Sequence, residues 1–412
     1  MDTQTLITEL QSTGLRLVEG PGGPVGRRGG AGPSDHVAVS IDGAVVMIPV
    51  HTDGAAASPF SARISRGGEG VVELGGEAVA ELRLVPTPRF YALSTADGTP
   101  YPKIALLHGA DVLASTVLQT CVRYGDPATA CSFCAIGQSL AAGRTLARKA
   151  PEQLAEVAEA AARLDGVKQV TLTTGTPRTA DRGAAHLAEC ARAIQARVAL
   201  PVQAQCEPPD DFAWFARMRD AGVGSLGMHL EAVGEGVRSA VMPGKAEVSV
   251  AHYFAAFEAA VGVFGRGQVS TYLIAGLGDP ADALVEVSER LIAIGVYPFI
   301  VPLVPIRGTR AAELPPPSGD FMRSIYERVG PMLERGGLVS SEVKAGCVRC
   351  GACSSLSSYE RPSLGAAARE PGALHEPALQ LPPGAEPDSA PRVPPLAPDH
   401  LLRRAKAVRS LG

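Results

Sequence analysis

Three cysteines stand within fourteen residues, in the stretch Cys121-Val-Arg-Tyr-Gly-Asp-Pro-Ala-Thr-Ala-Cys131-Ser-Phe-Cys134. Thiolates are soft, anionic ligands. Three on one loop can hold an iron–sulfur cluster and leave one iron without a protein ligand. Such an iron can bind a small molecule as well as pass electrons. The rival reading is structural zinc, which takes four protein ligands. No fourth cysteine or histidine is near in sequence, and His108 is the closest histidine. A second group, Cys347-Val-Arg-Cys350-Gly-Ala-Cys353, repeats the first three positions of a ferredoxin run, but Ser357 stands where the fourth cysteine would be. It suits an auxiliary iron–sulfur cluster, zinc or unliganded thiols. If it holds a cluster on three cysteines, the open iron could bind substrate, relay electrons or donate sulfur.

Other polar residues have plainer readings. Cys190 in a helical run and Cys206 at a strand end read as small buried apolar residues. Gln203, Gln205 and Glu207 alternate along one strand, so one face of it carries polar groups inward. They line a ligand site or satisfy buried neighbours. His229 reads as a packed histidine rather than a base. Tyr91, Lys103 and His108 could reach a site from an N-terminal domain.

The elements that must position these residues alternate from about residue 100 to 345. Strand-like runs at 115–120, 169–173, 202–205, 225–230, 268–274 and 297–304 are separated by Ala-rich helical stretches at 151–164, 184–197, 213–221, 249–263 and 280–294. Pro151 and Pro280 stand where a helix should begin. Six βα units in series predict an α/β fold, a partial (β/α)6 TIM-like barrel of parallel strands. Chemistry in such barrels collects at the C-terminal strand ends, and the first cysteine loop follows the first strand.

The chain divides on this reading into four parts. Residues 1–100 form an N-terminal α+β cap, with a helix over 3–15, a mobile Gly/Arg-rich loop over 20–32, a hairpin around Asp42-Gly43 and a strand at 89–93. Residues 101–345 form the barrel, and 346–360 a C-terminal cysteine segment. Residues 361–412 form a Pro-rich, largely disordered tail, with a short basic helix over 401–410.

Composition excludes several classes. Apolar residues make up 46 %, enough for a substantial core, and the net charge of −4 gives no footprint for nucleic acid or an anionic membrane. No apolar run approaches the ~18–20 residues of a membrane span. The start, Met-Asp-Thr-Gln-Thr-Leu-Ile, lacks the basic residues and apolar core of a secretory signal. Six of eight cysteines fall in two tight groups, which favours metal binding in a reducing cytosol over disulfides, so a cytoplasmic protein is expected.

A loop ending in Cys-x-aromatic-Cys after the first barrel strand resembles the radical S-adenosylmethionine (radical SAM) superfamily. The usual spacing is three residues then two; here it is nine then two, and the insertion carries a Gly125-Asp126-Pro127 turn. Further stretches stand in matching order. Thr174-Gly175-Thr176-Pro177 resembles the Gly-Gly-Glu motif that holds the methionyl amine, with Thr176 replacing the carboxylate. Glu231, with Arg238 and Val241-Met-Pro-Gly-Lys245 beyond it, resembles the ribose and carboxylate contacts. The run from Ser270 to Asp279, with Gly276, resembles the motif that packs on adenine. Pro302 to Thr309 resembles the sixth strand end of biotin-synthase-like members. At a finer level the cysteine spacings resemble a bacterial radical SAM group encoded in nitrilase-containing gene clusters.

The resemblance implies a [4Fe–4S] cluster on Cys121, Cys131 and Cys134, with Phe133 packed against it. It implies SAM on the fourth iron, contacted by Thr174, Gly175, Thr176, Glu231, Arg238 and Gly276. One-electron cleavage of SAM would yield a 5′-deoxyadenosyl radical that abstracts hydrogen from substrate. A small-molecule substrate and a flavodoxin- or ferredoxin-type reductant are the expected partners, with Cys347, Cys350 and Cys353 a possible second cluster. The alternatives are sulfur insertion at that second cluster, and a non-catalytic iron–sulfur electron carrier or zinc-stabilised binding protein.

Overall fold

A computed structural model describes residues 1–18 and 36–360. The Gly/Arg-rich stretch expected as a mobile loop, the Pro-rich tail and the basic helix expected at 401–410 fall outside the described residues.

Among the described residues two sheets form. The first is built from β1 (Arg16–Leu17), β2 (His36–Ile41), β3 (Ala44–Pro49), β4 (Phe60–Ile64), β5 (Glu69–Leu74) and β6 (Glu77–Leu84), in the order β1-β4-β5-β6-β2-β3. The expected hairpin joins β2 to β3. Asp42 and Gly43 both take positive φ, 49° and 80°, as a tight two-residue hairpin turn demands. A helix over Thr3–Thr13, capped by the Asp2 carboxylate on Thr5 N, lays Leu6, Ile7 and Leu10 on Val39, Ile41, Val46 and Ile48 of this sheet.

The second sheet contains β7 (Leu106–His108), β8 (Val112–Leu118), β9 (Gln169–Thr174), β10 (Val202–Gln205), β11 (Val223–Gly227), β12 (Val269–Ala275) and β13 (Val296–Pro302). Its order is β13-β12-β11-β10-β9-β8-β7, and β8 to β13 run parallel. These are the six strands read from the sequence. They form without period-2 alternation because both faces are covered; in β8 the residues from Val112 to Val117 are all buried. The sheet curls as a half-barrel. Helices over Pro151–Asp165, Ala184–Arg197, Ala213–Asp220, Val250–Phe264 and Ala281–Ala293 join the strands. Pro151 opens the first of these and Pro280 caps the last. Alanine dominates the buried stripe of the first two, which allows close helix–sheet approach.

Residues 89–93 do not form the expected strand. Arg89–Ala92 is a 3-10 turn. Its first two amides donate to the Asp165 carboxylate at 2.8 and 2.9 Å, which drives Phe90 into the core at 0 % exposure. A carboxylate cap contributes on the order of 1 kcal/mol and outweighs the strand preference of Phe-Tyr. No helix among the described residues is long and apolar enough to cross a membrane.

One buried cation sits beneath the exit of β8. Lys149 Nζ donates to Gln119 Oε1 (3.2 Å) and Leu146 O (2.9 Å), and Gln119 Nε2 donates to Ile136 O (2.9 Å). Burial lowers the Lys149 pKa to about 7 from its usual 10.5. Between those two values the unfolded chain binds the extra proton, so stability rises with pH. Replacing Lys149→Met removes that dependence. In thermal melts of the metal-free protein, wild type should gain on the variant as pH rises from about 7 to about 10; parallel curves would refute it.

Candidate cofactor and metal sites

Because β8 to β13 are parallel, their C-terminal ends form one mouth of the half-barrel. Cys121 lies just past β8 in that mouth. The base of its loop is fastened to the end of β9: Gly175 N donates to Leu118 O and Val122 N to Thr176 O, both at 2.8 Å. A Cβ at 175 would overlap Thr120 O, so only glycine lets the two strand exits touch.

The nine-residue gap is folded and held. Asp126 accepts from the amides of Ala128, Thr129 and Ala130, making a compact turn. Gly244 N donates to Thr129 O (3.1 Å), Ser132 N to Val241 O (2.6 Å) and Ala311 N to Ser132 O (2.9 Å). Arg310 bonds Pro127 O (2.7 Å) and Ala130 O. The loop is thus pinned by segments that follow β11 and β13. A turn over Cys131–Cys134 leads into the helix Ile136–Ala141. Phe133 and Cys131 pack with Ala232, Met242, Leu277 and Leu303. Gly276, φ 102°, turns the chain beside Leu303 and Pro317.

The electrostatics of this mouth are shaped by burial. Burial pushes up the Cys131 thiol, with Glu231 adding to it, and lifts Cys134 to about 11. The three thiols share one loop, pinned at this mouth. Burial thus favours the protonated form of Cys131 and Cys134, and a ligand that needs thiolates there must displace those protons. Glu231 takes φ 67°, a left-handed conformation held by Glu231 N to Tyr272 O and Ile274 N to Glu231 O, each 2.8 Å. Such backbone strain is on the order of 1–3 kcal/mol and clusters at functional sites. Lys245 Nζ meets Glu231 Oε2 at 2.7 Å. Burial opposes the lysine's charge, yet Glu231 outweighs it and holds the pKa above its usual value.

Arg238 differs from expectation. It is 2 % exposed and donates to the carbonyls of Leu230, Ala232, Lys245 and Val248. It holds the loop around Glu231, and Lys245 is the cation facing that carboxylate. Thr174 also has a local partner, its hydroxyl donating to Gly175 O (2.8 Å). Thr176 Oγ1 donates to Glu207 Oε1 at 2.7 Å, and Arg123 pairs with the same oxygen. The Thr-Gly-Thr-Pro stretch thus meets a carboxylate from the next strand exit. Glu207 Oε2 is buried with no partner among the described residues, a cost of about 1–3 kcal/mol for a neutral group and more for a charged one. The alternation Gln203, Gln205, Glu207 signalled this residue; Arg123, inside the widened gap, carried no signal.

Cys347, Cys350 and Cys353 are not brought to this mouth. Gly346 N bonds Gln169, the first residue of β9, and Lys344 N bonds Gln268, just before β12. The second cysteine group therefore closes the N-terminal mouth. His108 goes with it, beside Cys353 at 3.2 Å. Cys190 and Cys206 are core residues. Among the described residues no three His, Cys, Asp or Glu side chains converge as one metal ion requires. Cluster ligands bind separate irons and stand wider apart, so the upper thiols and the partnerless carboxylate oxygen fit a cluster with a bound amine better than zinc.

Comparison with known proteins agrees over the central region. Residues 126–291 match the family described as the Radical SAM superfamily. A stretch of 135 residues is 30 % identical to bacteriochlorophyllide c C-7(1)-hydroxylase of Chlorobaculum limnaeum, covering 32 % of this chain and 33 % of that protein. The chain thus spans about a third of the length of this relative. Among solved structures, methylornithine synthase aligns over 65 % of this chain and 78 % of its own, at 14 % identity and TM-score 0.44. The FeFe-hydrogenase maturase HydG of Carboxydothermus hydrogenoformans aligns over 47 % and 45 %, at 18 % and 0.34. Likeness at that level assigns neither fold nor function. The family match runs from inside the cysteine loop to the helix before β13 and supports a radical SAM superfamily domain over residues 126–291.

Proposed function

We propose that this chain is a radical SAM enzyme acting on a small molecule. The observation that supports it best is the upper mouth, where the pinned loop that carries three cysteines stands with a buried carboxylate that keeps one oxygen without a partner. Cys121, Cys131 and Cys134 would ligate a [4Fe–4S] cluster. When bound, the cluster and SAM supply a 5′-deoxyadenosyl radical by one-electron cleavage, and that radical takes a hydrogen atom from substrate.

The chain's own residues bind and orient. Glu207, held by Arg123 and Thr176, offers its second oxygen to the methionyl amine. Lys245 and Glu231 serve the carboxylate and ribose, with Arg238 positioning both. Phe133 and Gly276 give apolar surface to the cluster and adenine. The half-barrel and its pinned loop keep bulk water from the reacting atoms. A flavodoxin- or ferredoxin-type protein is the proposed electron donor. The name of the Chlorobaculum relative concerns hydroxylation of a bacteriochlorophyllide, and the shared third of its length does not extend that substrate to this chain.

Anaerobically reconstituted, dithionite-reduced protein should convert SAM to 5′-deoxyadenosine. Cys131→Ala should abolish this, and undiminished cleavage by that variant refutes the reading. Glu207→Gln should keep the iron content but weaken SAM binding roughly 10–100-fold in calorimetry, as expected for losing a charge-assisted bond of about 1.5–3 kcal/mol. An unchanged affinity would remove Glu207 from the site.

A further inference from the structure

The lower mouth of the half-barrel has no part in the upper chemistry, yet it is built with equal care. Residues 345–353 enter it as a plug. Ser225 Oγ donates to Ala345 O (2.7 Å), Gly346 N to Gln169 Oε1 (2.7 Å) and Cys347 N to Gln203 Oε1 (3.2 Å). Gly346 takes φ 101°, and a Cβ there would overlap the Gln203 side chain. One helical turn, Cys347–Cys350, ends at Gly351 with φ 69°, and this reversal turns Cys353 back toward the other two. Beyond it, Met47 N (2.8 Å) and Gln11 Nε2 (3.0 Å) fix Ala352 O from the first sheet's side.

Two of the three sulfurs meet polar side chains. Gln205 Nε2 donates to Cys347 Sγ at 3.1 Å. His108 Nε2 stands 3.2 Å from Cys353 Sγ. Gly109, φ 59°, brings bare backbone beside Cys350; a Cβ would stand 3.2 Å from its sulfur. All three cysteines stay partly exposed, while Val348 and Ala352 between them are buried. Cys190 shows the contrast: a core thiol at 0 % exposure whose hydrogen-bond neighbour among the described residues, His186, is 3.8 Å away. Polar donors directed at several sulfurs suit anionic thiolates.

We propose that Cys347, Cys350 and Cys353 form a second iron–sulfur site in the N-terminal mouth of the half-barrel, with His108 and Gln205 hydrogen-bonded to its ligating sulfurs. The cofactor class is a [4Fe–4S] cluster, whose ligand runs share the Cys-x2-Cys-x2-Cys spacing of these residues. Gln205 also meets His229 Nε2 (3.2 Å), and His229 stacks edge-on against Tyr272. Hydrogen bonds to cluster sulfurs raise the reduction potential, which assigns His108 a tuning role.

This site is independent of the upper one, and its test removes the upper cysteines. The full-length chain carrying Cys121→Ala, Cys131→Ala and Cys134→Ala is reconstituted anaerobically with ferrous iron and sulfide. About four irons and four sulfides per chain, with an electron paramagnetic resonance signal on reduction, support the site. A folded protein that holds zinc, or neither iron nor sulfide, overturns it. Should that variant fail to fold, Cys347→Ala/Cys350→Ala/Cys353→Ala in the native chain reads the same site: iron falls by about half, and an unchanged iron content overturns the proposal. Adding His108→Ala to the first variant should keep the iron and move the midpoint potential to more negative values. Retained iron with an unmoved potential rules out the histidine's role.

Discussion

The parallel pairing of six strands gives this molecule its two ends. Each strand from β8 to β13 starts at one mouth and finishes at the other, so residues just before a strand and just after it can never share a site. The cysteine loop, Thr176, Glu207 and Glu231 all follow strands. Gln169, Gln268 and the Gly109 turn all precede or begin them, and Cys347 to Cys353 settles among these. Hydrogen bonding along the strands thereby sorts the six clustered cysteines into two separate environments, with no contribution from the cysteines themselves.

Within the upper mouth, stability is given up locally and restored by neighbours. Glu231 sits in a left-handed conformation, Glu207 has a buried oxygen without a partner and Lys245 is a buried cation. The compensation lies in Arg238, whose guanidinium joins four carbonyls, and in the shared contacts of Arg123 and Thr176 on Glu207. A site that concentrates charge in a poorly hydrated place needs such a frame, because an unpaired buried charge is costly.

The strands were legible because covered parallel strands are written as apolar runs, as in Val112 to Val117. The first cysteine loop was legible from spacing alone, and its turn at Asp126 from Gly-Asp-Pro. What eluded the sequence depends on partners far along the chain. Arg89–Ala92 reads as a strand until Asp165 captures its amides. Arg238 reads as a ligand contact until its carbonyl partners are known. The home of Cys347 is set by Gln169 and Gln203, 177 and 144 residues from the positions they bond. His108 is near the first cysteines in sequence and beside the second group in space, because the β7–β8 hairpin turns at the opposite mouth. No local pattern encodes such pairings.

The helix Thr3–Thr13 meets the last described residues directly: Gln4 bonds Ser358, Thr8 bonds Ser355 at 2.8 Å and Gln11 bonds Ala352 at 3.0 Å. More than 340 residues separate these partners in sequence. During synthesis the helix lacks these partners until the cysteine plug has also been made. Closing so long a loop costs little extra entropy at equilibrium but delays the final docking step. The lower mouth is therefore closed by contacts between distant parts of the chain, a kind that is slow to form in folding.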